Sequence, residues 1–412
     1  MNIFLRSTFY IVILFASLLF LSQCNKSDIS TIPDVKEVNK DNFTVSMQEA
    51  TEVAQRYILA QNQKNNTSSA KIAATLEVTG QETIVDSIDK KPLFHIINLK
   101  KGFTIVSADI RTMPILAYSE QNQFDTKDIP KGVLLWMESA KVKIRDVRKR
   151  NLEGGDIIGK EWKKYFSDKN GRIMDTNCYE WYQYGQFQCQ NRQTTFGPLL
   201  TTHWGQKNIS TAELSTSKNC DGCGRMLAGC GPVAMAQVDE FYHPSTRPRY
   251  SNTSCTVSTP EQTSLALLMK KMGTYAQSQY DYAFSCNTFT WPGDVKTGFS
   301  MLGYSNGGGT DEAYSFQKIK NDLTGNHPVI FWGSTCLTCL SDYHIWVCDG
   351  LQQNHYSEFN CSTKQCNEWT YTYLHMNWGW SGSYDDWYSF GAYNPGGQDY
   401  NGNLHVITGI RP

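Results

Sequence analysis

Between Ser46 and Ala60 the apolar residues Ala50, Val53, Ala54, Tyr57 and Ile58 recur at helical intervals, which predicts an amphipathic helix with one buried face. Two apolar runs, Leu93 to Leu99 and Phe103 to Ser107, then flank Lys100-Lys101-Gly102, the pattern of two strands joined by a tight turn. Pro114-Ile115-Leu116-Ala117-Tyr118 adds a further apolar segment. Helical spacing returns with Val133, Leu134, Trp136, Met137 and Ala140 and dissolves into the basic run Lys141 to Arg150. From Arg150 to Asn191 charges, glycines and aromatics mix without a period around Leu152-Glu153-Gly154-Gly155-Asp156, so an exposed linker is expected there, of the kind that processing proteases cut. Beyond it Lys and Glu thin out, and Gly, Trp, Cys and Tyr become frequent through Pro412.

A chain of 412 residues has room for two domains. The pattern divides it into a leader over 1–24, a first unit over 25–150 that begins with a polar tether (25–42), a linker and processing region over 151–195, and a second domain over 196–412. Apolar residues at 40% and aromatics at 13% are ample for packed cores and exclude general disorder. A formal net charge of -1 provides no field that would gather nucleic acid.

The first residues fix the compartment. Arg6 followed by the apolar run Phe9 to Leu21 reads as an export signal and is short for a membrane span. Leu21-Ser22-Gln23-Cys24 resembles a bacterial lipobox, although Gln23 stands where a small residue is usual. Lipidation at Cys24, plain cleavage nearby and an uncleaved anchor all place the remainder outside the cytoplasm, as a secreted or surface lipoprotein. Thirteen cysteines in an exported chain point to disulfides. Setting aside Cys24 and Cys230 leaves an odd number. The close pairs Cys220/Cys223, Cys336/Cys339 and Cys361/Cys366 suit local bridges, and Cys348, in a strand pattern, reads as a buried free thiol. The rival reading takes the two C-x-x-C pairs as zinc ligands.

Candidate chemistry concentrates in the second domain. In Leu227-Ala228-Gly229-Cys230-Gly231-Pro232-Val233-Ala234-Met235-Ala236-Gln237-Val238 a glycine-bounded cysteine is followed at once by a helix pattern that ends before Pro244. A thiol at a helix amino terminus sits at the positive end of the macrodipole, which favours thiolate. Asp342-Tyr343-His344-Ile345-Trp346-Val347-Cys348-Asp349-Gly350 places a histidine at the start of a strand. Tyr371 to Asn377 is another alternating strand, running into Trp378-Gly379-Trp380-Ser381-Gly382. A base and a polar group at neighbouring strand ends are what a cysteine nucleophile needs. His375 is the rival base, whereas His203, His243, His327, His355 and His405 lack such a context. The H-E-x-x-H pattern of zinc proteases is absent from the sequence.

Taken together these blocks resemble the streptopain family of bacterial papain-like cysteine peptidases. Gly229-Cys230 with Ala234-Met235-Ala236-Gln237 is similar to its nucleophile block, and Pro328-Val329-Ile330 with His344 to Gly350 to its histidine block. Met376 to Gly382 is similar to its Asn-Trp-Gly-Trp segment, Asn394-Pro395 recurs, and Thr202-His203-Trp204-Gly205-Gln206 resembles the segment with the oxyanion glutamine. Gly102 to Asp109 and Pro114 to Ser119 resemble its inhibitory propeptide. The resemblance implies an α+β fold, with a helical lobe carrying Cys230 and an antiparallel sheet lobe carrying His344, behind a small α+β propeptide domain over 25–150. It implies Cys230 as nucleophile, His344 as general base and acid, Gln206 with the Cys230 amide at the oxyanion, and Asn377 and Trp378 holding or shielding His344. Protein or peptide substrates, a hydrophobic preference beside the scissile bond, inhibition by the chain's own propeptide, a monomer, and no metal or organic cofactor are also implied. Asp342-Tyr343 replaces the family's usual Gly-Gly, and the cysteine pairs, including Cys336-Leu337-Thr338-Cys339, are additions. The competing functions are a surface lipoprotein that binds glycan or peptide through its aromatic second domain without cleavage, and an acyl or peptidyl transferase on the same scaffold.

Overall fold

The computed structural model describes residues 43–64, 76–152, 154–166, 189–251, 254–282, 285–334, 344–360, 365–389 and 404–412. The leader with Cys24, Cys336, Cys339, Asp342-Tyr343, Cys361 and Asn394-Pro395 lie outside the described residues.

Helix α1 (Met47–Lys64) opens at Ser46, whose hydroxyl accepts from the Glu49 amide while the Glu49 carboxylate accepts from the Ser46 amide at 2.8 Å. This reciprocal cap satisfies two amides that the first helical turn leaves unpaired. Strands β1 (Val78–Val85), β2 (Pro92–Leu99), β3 (Phe103–Ser107) and β4 (Ile115–Ser119) form an antiparallel meander. Its β2–β3 turn is the predicted hairpin. Val53, Ala54, Tyr57 and Ile58 of α1 pack with Ile97, Val106 and Ile115 on one face of the meander. On the other side α2 (Lys131–Lys149) buries Val133, Trp136, Met137, Ala140 and Ile144.

The stretch expected to be exposed linker is folded at its start. Helix α3 (Gly155–Lys163) buries Ile158 and Trp162, one turn apart on a single face, and the Trp162 indole donates to the Thr112 carbonyl at 2.8 Å. That apolar pair is enough to anchor the segment, and the charges around it mask the signal in the sequence.

Strand β5 (Arg192–Phe196) falls at the end of the stretch expected as linker, and the chain after it contains a helical half built from α4 (Cys230–Tyr242), α5 (Pro260–Tyr275), the hairpin β6 (Gln279–Tyr282) and β7 (Asn287–Phe289), and α6 (Pro292–Met301). Its sheet half is built from β8 (Thr310–Ala313), helix α7 (Phe316–Thr324), β9 (Val329–Gly333), β10 (His344–Asn360), β11 (Gln365–Asn377), β12 (Asp386–Ser389) and β13 (Leu404–Thr408). The principal sheet runs β1-β2-β3-β4-β12-β11-β10-β9-β13-β8, with β5 on β10. Every pairing in it is antiparallel. Strand β4 joins β12 through Tyr118 opposite Trp387 and Ala117 opposite Tyr388, so one sheet is shared by both domains. The mixed architecture agrees with the α+β expectation.

The cysteines correct the local-pair reading. Cys220 bridges to Cys286, Cys223 to Cys255, and Cys366 to Cys189, each with Cα atoms between 5.2 and 5.6 Å apart. Asp221 accepts from the amides of Cys223 and Arg225, which winds the loop so that its two sulfurs meet two different segments. Cys348 is free and buried, as expected.

Candidate active site

Cys230 is the first residue of α4. Gly229 before it has φ 91°, a conformation that side chains disfavour, and a Cβ there would lie 2.7 Å from Thr288. A Cβ on Gly231 would lie 2.8 Å from Thr290. Two glycines thus let the Cys230 turn pass close beneath β7. The thiol is partly buried, and burial pushes its pKa up, against backbone amides of Ile345, Gly231 and Cys230 itself that favour thiolate. The Ile345 contact brings the start of β10 to the sulfur.

His344 is the first residue of β10, opposite Gly333 of β9. Its ring stacks on Trp346 with centroids 5.9 Å apart, and its Nε2 donates to the Trp378 carbonyl at 3.0 Å, since a carbonyl can only accept. Burial pushes the imidazole down to about 4, opposed by that hydrogen bond and aided by the Lys131 charge. Both shifts run toward the uncharged side chains. Among the described residues, Cys230 and His344 share no hydrogen bond.

The amino end of α2 comes close to His344. A Cβ on Gly132 would lie 2.6 Å from the Trp378 ring and 2.8 Å from His344 Cδ2, and the Lys131 charge acts on both Cys230 and His344. The first domain therefore supplies the burial and the positive charge that hold His344 neutral.

Trp378, fully buried, contacts His344 through its carbonyl. Its own amide donates to Asp385 at 2.9 Å, and Asp385 also bonds His203 Nδ1 at 3.0 Å. Asn377 lies beside them, but its amide donates to the Thr202 carbonyl and accepts from Gln237 and from the Gly379 amide; none of its hydrogen bonds goes to His344. The Gln206 carbonyl accepts from the Ala228 amide at 3.0 Å, which sets Gln206 beside the turn before Cys230. His375, the rival base, is elsewhere: it pairs with buried Asp349 at 2.6 Å, and although burial opposes it, Asp349 with Asp386 and Asp385 raises its pKa to about 9. A group protonated at neutral pH accepts no proton there. The bridges of Cys220 and Cys223 remove two of the four thiolates of the zinc reading. Sequence reading missed Gly132, Asp385 and the role of Gln237; only Gln237 carried a signal, two turns along from Cys230.

A cysteine at a helix start, a histidine at a strand start and a preceding domain laid against the histidine are the arrangement of a papain-like cysteine peptidase in its precursor form. The profile of the peptidase C10 family matches residues 245–388, and that of a Spi protease inhibitor domain matches residues 42–144. The first match spans His344, Asn377 and Trp378 and begins after Cys230. Among solved structures, a fragment of Prevotella intermedia prointerpain A is similar at TM-score 0.50 and 18% identity, covering 81% of this chain and 99% of its own. Active Prevotella intermedia interpain A cysteine protease aligns at TM-score 0.38 and 20% identity over 53% of this chain and 96% of its own. No curated protein matches by sequence. The chain is a cysteine endopeptidase made as a zymogen with an inhibitory propeptide, acting on protein substrates.

Proposed function

We propose that Cys230 is the nucleophile and His344 its base, and that the form described here is the latent one. The observation that carries this is the placement of Cys230 at the start of α4 and of His344 at the start of β10, with the Ile345 backbone acting on the Cys230 sulfur. Once α2 withdraws, water regains His344, its pKa rises, and a thiolate–imidazolium pair forms. The thiolate attacks the peptide carbonyl, His344 protonates the leaving amine, and water then releases the acyl group from sulfur. Gln206 and the Cys230 amide receive the oxyanion, each donor contributing about 3 kcal/mol. The Trp378 carbonyl holds the imidazolium.

The propeptide extends through α3 in this reading, because Trp162 is buried with residues of α1, so the maturation cut falls between Phe166 and Cys189. Amino-terminal sequencing of the mature enzyme tests that. The three disulfides support folding outside the cytoplasm. Leu21-Ser22-Gln23-Cys24 supports a lipid on Cys24, which palmitate labelling lost in Cys24→Ser would establish.

The central test expresses residues 25–412 with Cys230 and as Cys230→Ala. The native precursor is expected to shorten to a casein-cleaving form blocked by a cysteine-directed inhibitor, and the Ala variant to stay full length and inactive even after an added protease cuts it. Casein cleavage by the cut Ala variant would end the assignment.

A further inference from the structure

We infer that Gln237 is a positioning residue of this reaction, tying the nucleophile helix to the groups that hold the base and the oxyanion. It rests on the assignment of Cys230 and His344. The side chain is fully buried on α4, two turns from Cys230 and on the same face. Its orientation is fixed by a backbone amide, which can only donate. The Trp204 amide donates at 3.1 Å to Gln237 Oε1, and the Thr202 hydroxyl reaches the same oxygen at 3.3 Å. Gln237 Nε2 therefore donates to Asn377 Oδ1 at 2.9 Å.

The Asn377 amide is fixed in the same manner. Its Nδ2 donates to the Thr202 carbonyl at 2.8 Å, and its Oδ1 accepts from the Gly379 amide at 3.2 Å. That Gly379 N–H belongs to the very peptide group whose carbonyl, on Trp378, accepts from His344 Nε2. The peptide that holds the base is thus gripped from behind by Asn377, and Asn377 is held by Gln237. The other end of the Gln237 amide grips Trp204, two residues before Gln206. One buried amide joins three elements far apart in sequence, and a satisfied network of this kind fixes geometry more strongly than its separate bonds.

Glutamate at this position separates positioning from mere packing. In the Gln237→Glu variant the protonated carboxyl still donates to Asn377 Oδ1, whereas the ionised carboxylate repels that oxygen. The test compares enzyme matured from the full chain with its Gln237→Glu and Gln237→Leu variants, recording kcat and KM against pH and the pH dependence of Cys230 alkylation by iodoacetamide. Gln237→Leu is expected to lose roughly 10- to 100-fold in kcat at every pH with KM nearly unchanged. Its alkylation limb is expected to move up by about one pH unit, as the imidazolium partner is held less well. Gln237→Glu is expected to approach wild-type kcat at low pH and to fall towards the Leu variant as its carboxyl ionises. If the Leu variant does not fold, the pH profile of the Glu variant decides alone. Wild-type kcat and an unmoved limb in the Leu variant would overturn the inference, as would losses in both variants that only track the folded fraction. A wild-type enzyme that is inactive and unlabelled at Cys230 would instead overturn the site assignment, and this inference with it.

Discussion

Substituting Gly132 by Ala tests whether the first turn of α2 closes the site. The added methyl would meet the Trp378 ring at 2.6 Å and His344 Cδ2 at 2.8 Å. Both neighbours are buried, Trp378 fully and His344 at 3% exposure, so neither has room to yield. Overpacking of this sort costs about 1–3 kcal/mol. Alanine is the better helix former by about 1 kcal/mol, which offsets part of that. A net of about 0–2 kcal/mol against the closed state raises the open fraction by up to roughly 30-fold. The assay is the rate of Cys230 alkylation in the intact precursor, read beside the first-order rate of its self-processing at high dilution. Both are expected to rise by the same factor. Leu134→Ala, on the same helix but 39% exposed, is the control and should leave both rates near wild type. Wild-type rates in Gly132→Ala would mean that this contact does not hold the enzyme latent.

Two further outcomes follow from the domain seam. Burial raises the Asp386 carboxyl from 3.8 to about 6, with Ser119 of the propeptide bonded to it. A folded-state carboxyl that holds its proton to higher pH favours folding at low pH, and that advantage disappears as pH rises from about 4 through 6. The wild-type precursor should therefore lose melting temperature relative to Asp386→Asn across that window and run parallel to it above; parallel curves throughout would exclude the effect. Trp162→Ala removes a buried indole and its bond to Thr112, at about 3–5 kcal/mol of precursor stability. Denaturant melts should show that loss, while the fully matured enzyme keeps its activity.

Local chemistry was readable where the signal is local. The apolar face of α1, the turn at Gly102 and the glycine-flanked Cys230 each declare themselves within a few residues. Cys230 and His344 were paired by resemblance, because more than a hundred residues separate them and only the packing of α4 against the sheet brings them together. The bridges from Cys220 to Cys286 and from Cys223 to Cys255 escaped for the same reason: spacing suggests a neighbour, but three-dimensional proximity selects the partner. Trp162 was hidden because two apolar residues one turn apart, set among charges, make too short a pattern to stand out. Asn377 was expected to hold or shield His344; its hydrogen bonds go to Thr202, Gln237 and the Gly379 amide, a matter of backbone hydrogen bonding that composition does not encode.

The strand pair β4–β12 means that activation does more than uncover a cleft. A sheet that spans both domains is torn along one seam when the propeptide departs, and β12 passes from interior strand to edge. Tyr373 and Trp387, now 4% and 9% exposed, lose the propeptide residues that cover them. The new edge is only four residues long, too brief a template for pairing with another chain. The precursor is consequently the better-covered molecule, and the mature enzyme carries a fresh aromatic scar that it acquires on the day it becomes active.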